Sequence, residues 1–434
     1  MDSSILALNI VDGPLLFTVY ALSAVSGVLL LLRRPRRLLS ASVLTAATGA
    51  LVGTATLLVT EILMHAFGGP LGWHVRAWVI AFFAGLGLCA VAFRKSGRRR
   101  KALACAAALS FAATATLGIN AYYGLHPTVA SFLGISLAPK INLDPVQPHT
   151  PSPHQVPLWQ SWTPPDQLPE KGTTAQVDIP PTRSGFSSRP AGLYLPPAAQ
   201  APNPPALPLV VMMMGQPGDP DPQYVGSVLN NYAAQHQGLA PIVIVADQLG
   251  DPYTDNLCLD SPVHGKPETF INRDVVDWAR SHLNIIDDRK SWTIAGYSHG
   301  GQCAISFAAK YPSIWGNVLD ISGEEYPGAE EPETNLREIF GGNQAAYDAQ
   351  KPVNIMKRQR YRDMDAIFTA ATDDPAYRDA AGRVAAAASA AGMTVTYYEV
   401  PNGGHVIGAL NGGLNKGFAV LYPRLGLSQP DGTG

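Results

Sequence analysis

The chain has 434 residues, of which 47 % are hydrophobic and only 15 % charged, with a formal net charge of -2. A charged share below the ~25 % usual for soluble domains excludes a chain that faces water throughout, and near-neutrality gives no reason to expect nucleic acid as a partner. No phosphate-cradling glycine loop, zinc-type Cys/His spacing or internal repeat occurs, so the sequence points to no cofactor and no metal.

The apolar excess is local. Leu15 to Leu32, Leu39 to Met64, Ala77 to Phe93 and Ala102 to about Tyr122 are four apolar stretches, with Glu61 the one acidic residue inside them. Each is near the ~20 residues that cross a bilayer as a helix. Arg33, Arg34, Arg36 and Arg37 follow the first stretch, and Arg94, Lys95, Arg98, Arg99, Arg100 and Lys101 separate the third from the fourth. With four spans both clusters fall on one side, which the positive-inside rule makes the cytoplasm; the N-terminus and everything after Tyr122 then lie outside. A signal peptide would carry its positive charge before the first apolar run, where residues 1–14 have none.

The expected organisation is a four-helix transmembrane anchor over residues 1–125, a Pro-rich linker over 126–172 and a catalytic domain over 173–434. From Pro139 to Pro169 the composition is proline-rich and charge-poor, which cannot continue a helix and favours extended chain. Beyond it the pattern alternates. Leu207–Met214, Pro241–Ala246, Ser291–Ala295, Asn317–Ile321, Ala366–Ala371 and Thr394–Val400 read as strands, with helical patterns at Glu268–His282, Gly301–Tyr311 and Ala376–Ala391. Continuous apolar strands alternating with helices predict a mostly parallel sheet covered on both faces.

Gly296-Tyr297-Ser298-His299-Gly300 follows the apolar run Trp292–Ala295 and precedes a small-residue helical stretch. That is the setting of a nucleophile elbow, in which glycines let a strained strand-to-helix turn lift a serine hydroxyl above the sheet edge. A serine needs a base, and the base needs an acid to hold its tautomer. His405, in Pro401-Asn402-Gly403-Gly404-His405 after the last strong strand, is the expected base. Thr372-Asp373-Asp374-Pro375 puts two carboxylates at a strand's C-terminal end; Asp374 is the expected acid, Asp373 then capping the helix that follows, and Glu324 or Glu325 is the weaker alternative. The tetrahedral oxyanion needs donors, expected to be the backbone N–H groups of His299 and of Gln216, since Pro217 has none. The His299 imidazole is expected to be incidental. Cys258 and Cys303, in the exported domain, are expected to form a disulfide, and Cys89 and Cys105 in the spans to be small apolar residues.

The chain resembles the esterases of the esterase-D type within the α/β-hydrolase superfamily, in their membrane-anchored actinobacterial form. The resemblance rests on Gly296 to Gly301, on Thr372-Asp373-Asp374 and on Asn402-Gly403-Gly404-His405. It also rests on the exit segment Asn120 to Val129 and on Asp255-Asn256-Leu257-Cys258-Leu259-Asp260-Ser261. At the oxyanion loop Met214-Gly215 stands in place of the common His-Gly. The resemblance implies carboxylic-ester hydrolysis or acyl transfer through an acyl-serine. A surface-confined lipid or envelope ester is the expected substrate, because an anchor raises effective concentration there. Alternatives are a mycolyltransferase-like acyltransferase, an aminoacyl-phospholipid hydrolase and, from another class, a non-catalytic envelope interaction module. The spans carry no central charge pairs or paired broken helices that would make them a carrier.

Overall fold

The computed structural model describes residues 3–32, 36–63, 71–93, 97–146 and 156–430. Arg33, Arg34, Arg94 and Lys95 of the basic clusters, Met64 and part of the Pro-rich region lie outside them. The chain divides into two compact units, Met1–Leu137 and Ala138–Gly434.

In the first unit four helices are long and apolar enough to cross a membrane: Pro14–Leu31, Leu38–Leu63, Trp73–Phe93 and Arg98–Tyr123. Their outward faces are apolar, with Leu44 68 %, Leu51 71 % and Leu109 73 % exposed, a surface that water would not tolerate and lipid would. Small residues bring the second and third helices together. A side chain on Gly49 would strike the Phe83 carbonyl, and one on Gly87 the Thr45 carbonyl. Between the first and fourth, Ser23 Oγ bonds Thr114 Oγ1 at 2.6 Å. Glu61, the acidic residue in the spans, is paired with Arg76, whose Nε donates at 3.1 Å. Arg100 Nη2 donates to the carbonyls of Leu30 and Leu32 at 3.2 and 3.3 Å. The start of the fourth helix therefore covers the open carbonyls at the end of the first.

The second unit is built on an eight-stranded sheet. Its strands are β1 (Thr173–Val177), β2 (Ala191–Leu195), β3 (Leu209–Met213), β4 (Ile242–Ala246), β5 (Trp292–Tyr297), β6 (Asn317–Ile321), β7 (Asp365–Ala371) and β8 (Thr394–Val400), in spatial order β1-β2-β4-β3-β5-β6-β7-β8. From β4 to β8 all neighbours are parallel. Strands β3 to β6 are buried at every position, as a sheet with both faces covered requires. The six predicted strands are present within two residues at each end. The two antiparallel additions, β1 and β2, went unpredicted. Thr173–Val177 is polar at most positions and buries only Ala175 and Val177, too little apolar signal to stand out. Parts of the Pro-rich region hydrogen-bond to this unit: Ile141 N–H donates to Gln176 O at 2.9 Å and Trp159 N–H to Gly426 O at 3.1 Å.

Because β3, β5, β7 and β8 run parallel, their carboxyl ends share one edge of the sheet. The segments after them, Met214–Gln216, Ser298, Thr372–Asp374 and Asn402–His405, gather there.

Candidate active site

Ser298 takes φ 56°, ψ -122° between β5 and the helix His299–Lys310, a conformation that costs a non-glycine residue of order 1–3 kcal/mol. The surroundings hold it there. Its N–H donates to Ile321 O on β6 at 2.8 Å, and its carbonyl accepts from Gly301 N–H at 2.8 Å. The flanking glycines are steric requirements, since a side chain on Gly296 would strike the Gly300 carbonyl and one on Gly300 the Met213 carbonyl.

The Ser298 hydroxyl lies 2.8 Å from His405 Nε2. On the other side of the ring, Asp374 Oδ2 lies 2.9 Å from Nδ1. A proton on Nδ1, held by the carboxylate, leaves Nε2 free to take the serine proton. Asp374 stands at the N-cap position of the helix Pro375–Ala390 yet makes no capping bond, because its side chain turns to the imidazole instead. His405 is flanked by aromatic rings, Tyr377 with centroids 3.9 Å apart and Tyr297 at 5.5 Å.

Asp373 does not cap that helix. Its Oδ1 accepts from Gly404 N–H at 2.8 Å, while Thr372 Oγ1 accepts from Asn402 N–H at 3.0 Å. Three consecutive side chains thus grip three positions of the histidine loop; the Asp374 contact is the expected one, and the other two are hidden in the sequence by a separation of about 30 residues. Glu324 and Glu325 do not meet His405. Glu325 pairs with Arg383.

Gly215 lies against the serine, since a Cβ there would sit 3.2 Å from Ser298 Cβ, so the turn carrying Gln216 is brought beside Ser298. His299 follows directly. Its imidazole is not incidental: the residue is 2 % exposed, with Nε2 3.1 Å from Asp255 Oδ1 and Nδ1 3.3 Å from Gln248 Nε2. Gln248 was not singled out from the sequence, and Asp255 entered only as part of the segment carrying the resemblance, since nothing in a sequence marks a long-range polar contact. Cys258 and Cys303 form a disulfide with Cα atoms 5.6 Å apart. These cysteines and His299 are the grouping with metal-ligand character among the described residues, but neither bonded sulfur is a thiolate.

A model of the family described as "Putative esterase" matches residues 187–408, just over half the chain. The chain belongs to that family. This esterase is accordingly a serine carboxylic ester hydrolase. It is 29 % identical over 401 residues to an uncharacterised protein of Corynebacterium glutamicum, covering 87 % of this chain and 89 % of the relative. That span is longer than either unit alone. Among solved structures, the esterase is similar to an S-formylglutathione hydrolase of Agrobacterium tumefaciens, with TM-score 0.49 and 16 % identity, covering 60 % of this chain and 98 % of that one. A ferulic acid esterase matches with TM-score 0.47 and 17 % identity, covering 58 % of this chain and 99 % of the other.

Burial perturbs two carboxyl groups of this esterase near the elbow. Glu324 is pushed up to about 8, and its Oε2 has no hydrogen-bond partner. Burial pushes Asp320 up to about 7, although Gly323 N–H donates to it. Both hold protons in the folded state at a pH where the unfolded chain has released them, so their contribution to stability is full below the ordinary carboxylate range and is lost as pH rises toward 7 and 8. Glu324→Gln removes one such group. The variant's melting temperature relative to wild type should climb between about pH 5 and about pH 9, by the equivalent of about 2 to 4 kcal/mol. A difference that stays flat with pH would show that Glu324 is ionised in the folded protein at neutrality.

Proposed function

We propose that this esterase attacks the ester carbonyl with Ser298 Oγ while His405 takes the hydroxyl proton and Asp374 holds the imidazole. The N–H groups of His299 and Gln216 bind the oxyanion. His405 protonates the departing alcohol, and water, activated by the same imidazole, clears the acyl-serine. The observation that carries this reading is the pair of hydrogen bonds, 2.8 and 2.9 Å, on opposite nitrogens of His405.

We further propose that residues 1–125 are a four-span anchor, 126–172 a connecting segment and 173–434 the catalytic domain outside the cytoplasm, acting on lipid or envelope esters. Several observations support this. The helices present apolar faces. Arg100, of the second basic cluster, reaches the C-terminal end of the first span. The disulfide suits an oxidising compartment. In intact cells a cysteine replacing exposed Ser187 should react with a membrane-impermeant maleimide, and one replacing Ser96 should not. Reaction at Ser96 alone inverts the topology.

One alternative is favoured by an observation of its own. Glu324, with its unpartnered oxygen, interacts electrostatically with Asp255 and Glu330. A substrate ammonium beside Glu324 would favour loss of the proton that burial otherwise keeps there, so this group suits an aminoacyl ester of a phospholipid more than a plain fatty acyl group. Trapping the acyl-enzyme with native envelope lipids and weighing the Ser298 peptide decides between them. A long-chain acyl adduct supports the first reading, an aminoacyl adduct the second, and no adduct at Ser298 rejects both.

A further inference from the structure

Gln248, just beyond β4, is 2 % exposed, and its side chain lies between the two segments that meet at the nucleophile. Its Nε2 donates to the Met214 carbonyl at 2.6 Å, one residue before Gly215 and two before Gln216. The same amide nitrogen lies 3.3 Å from His299 Nδ1. With both amide hydrogens used in this way, Nδ1 is an acceptor and Nε2–H donates to Asp255 Oδ1 at 3.1 Å. The Met214 carbonyl, the Gln248 amide nitrogen, both His299 ring nitrogens and Asp255 Oδ1 then have matched partners.

The segment that supplies Gln248 and Asp255 is itself fastened. Asn256 Nδ2 donates to Gln248 O at 2.6 Å, and Asn256 Oδ1 accepts from Cys258 N–H at 3.0 Å. Leu257 and Cys258 adopt φ 60° and 51°, a strained turn for residues with a Cβ. Cys258 is then tied to Cys303, four residues beyond His299 on the elbow helix.

We infer that Gln248 and the His299 imidazole are positioning residues that set the spacing between the two backbone donors of the oxyanion hole, the N–H of Gln216 and the N–H of His299. This inference rests on the oxyanion assignment above. The donors sit on separate segments, one after β3 and one after β5, and a displacement of either weakens the bonds that form only as charge develops on the carbonyl oxygen. Gln248 joins those segments through a buried side chain, where a hydrogen bond is stiff because nothing else can satisfy its groups.

The test uses the full-length enzyme in detergent with p-nitrophenyl butyrate as substrate and butylboronic acid as a tetrahedral analogue of the transition state. Gln248→Met and His299→Met keep side-chain bulk and remove the bridge. Each should lower kcat about 10- to 100-fold with KM changed less than about twofold, and should weaken boronate inhibition by a similar factor. The double variant should be little worse than the poorer single one, because both break the same connection. The inference is overturned if both single variants keep kcat within about twofold, or if kcat falls while boronate affinity and the double-variant additivity stay those of independent sites. Melting temperature is followed throughout; if Gln248→Met does not fold, His299→Met alone decides by the same criteria. Ser298→Ala is run alongside. Full activity in that variant rejects the parent reading, whereas an inactive Ser298→Ala beside unaffected Gln248 and His299 variants rejects only the bridge.

Discussion

Ser298→Ala is expected to abolish covalent labelling by a fluorophosphonate and to lower kcat by about 10^5 to 10^6. The reagent reacts with an activated hydroxyl, and the serine proposed here is the one hydrogen-bonded to His405 Nε2 at 2.8 Å. Alanine removes the oxygen without touching what holds the turn, since the Ser298 N–H bond to Ile321 and the glycine contacts are made by backbone. The variant should therefore fold. His405→Ala should fall to a similar floor, and the two changes should not add, because nucleophile and base act as one unit. Residual turnover should remain about 10^3 to 10^4 above the reaction in water, from substrate binding and the oxyanion donors. Equal labelling of wild type and Ser298→Ala would move the nucleophile elsewhere.

The second large effect separates two adjacent aspartates. Asp374→Asn should lower kcat by up to about 10^4 with the fold intact, because an amide facing Nδ1 stabilises the wrong imidazole tautomer and cannot stabilise the imidazolium. Asp373→Asn should stay within a few-fold of wild type. Its contact is with Gly404 N–H, and an asparagine oxygen accepts that bond as a carboxylate does. Asp373→Ala leaves the N–H without its partner and loosens the loop that carries His405, for which about a tenfold loss is expected. The measurement is kcat and KM for all three variants with their melting temperatures. A crippled Asp373→Asn beside an active Asp374→Asn would reverse the assignment, and two active variants would show that neither aspartate is the acid.

The sequence by itself determined what is local and periodic. Four apolar runs of bilayer length, and strands apolar at successive positions, are each decided by the residues inside them, because a helix in lipid or a strand buried on both faces has no use for polar side chains. The elbow was equally legible, since its strain demands glycine at fixed offsets from the serine. Strand order then made His405 and Asp374 the natural candidates, for parallel strands bring their carboxyl ends to one edge. Tertiary structure decided what depends on partners distant in the chain. It turned Asp374 away from the helix it precedes and onto the imidazole, and assigned Asp373 to the loop 31 residues on. It added β1 and β2, of which β1, polar at most positions, pairs because the edge of β2 is there to receive it. It gave the His299 ring its partners, Gln248 and Asp255, since a buried polar side chain must be matched and composition carries no record of which distant group will match it.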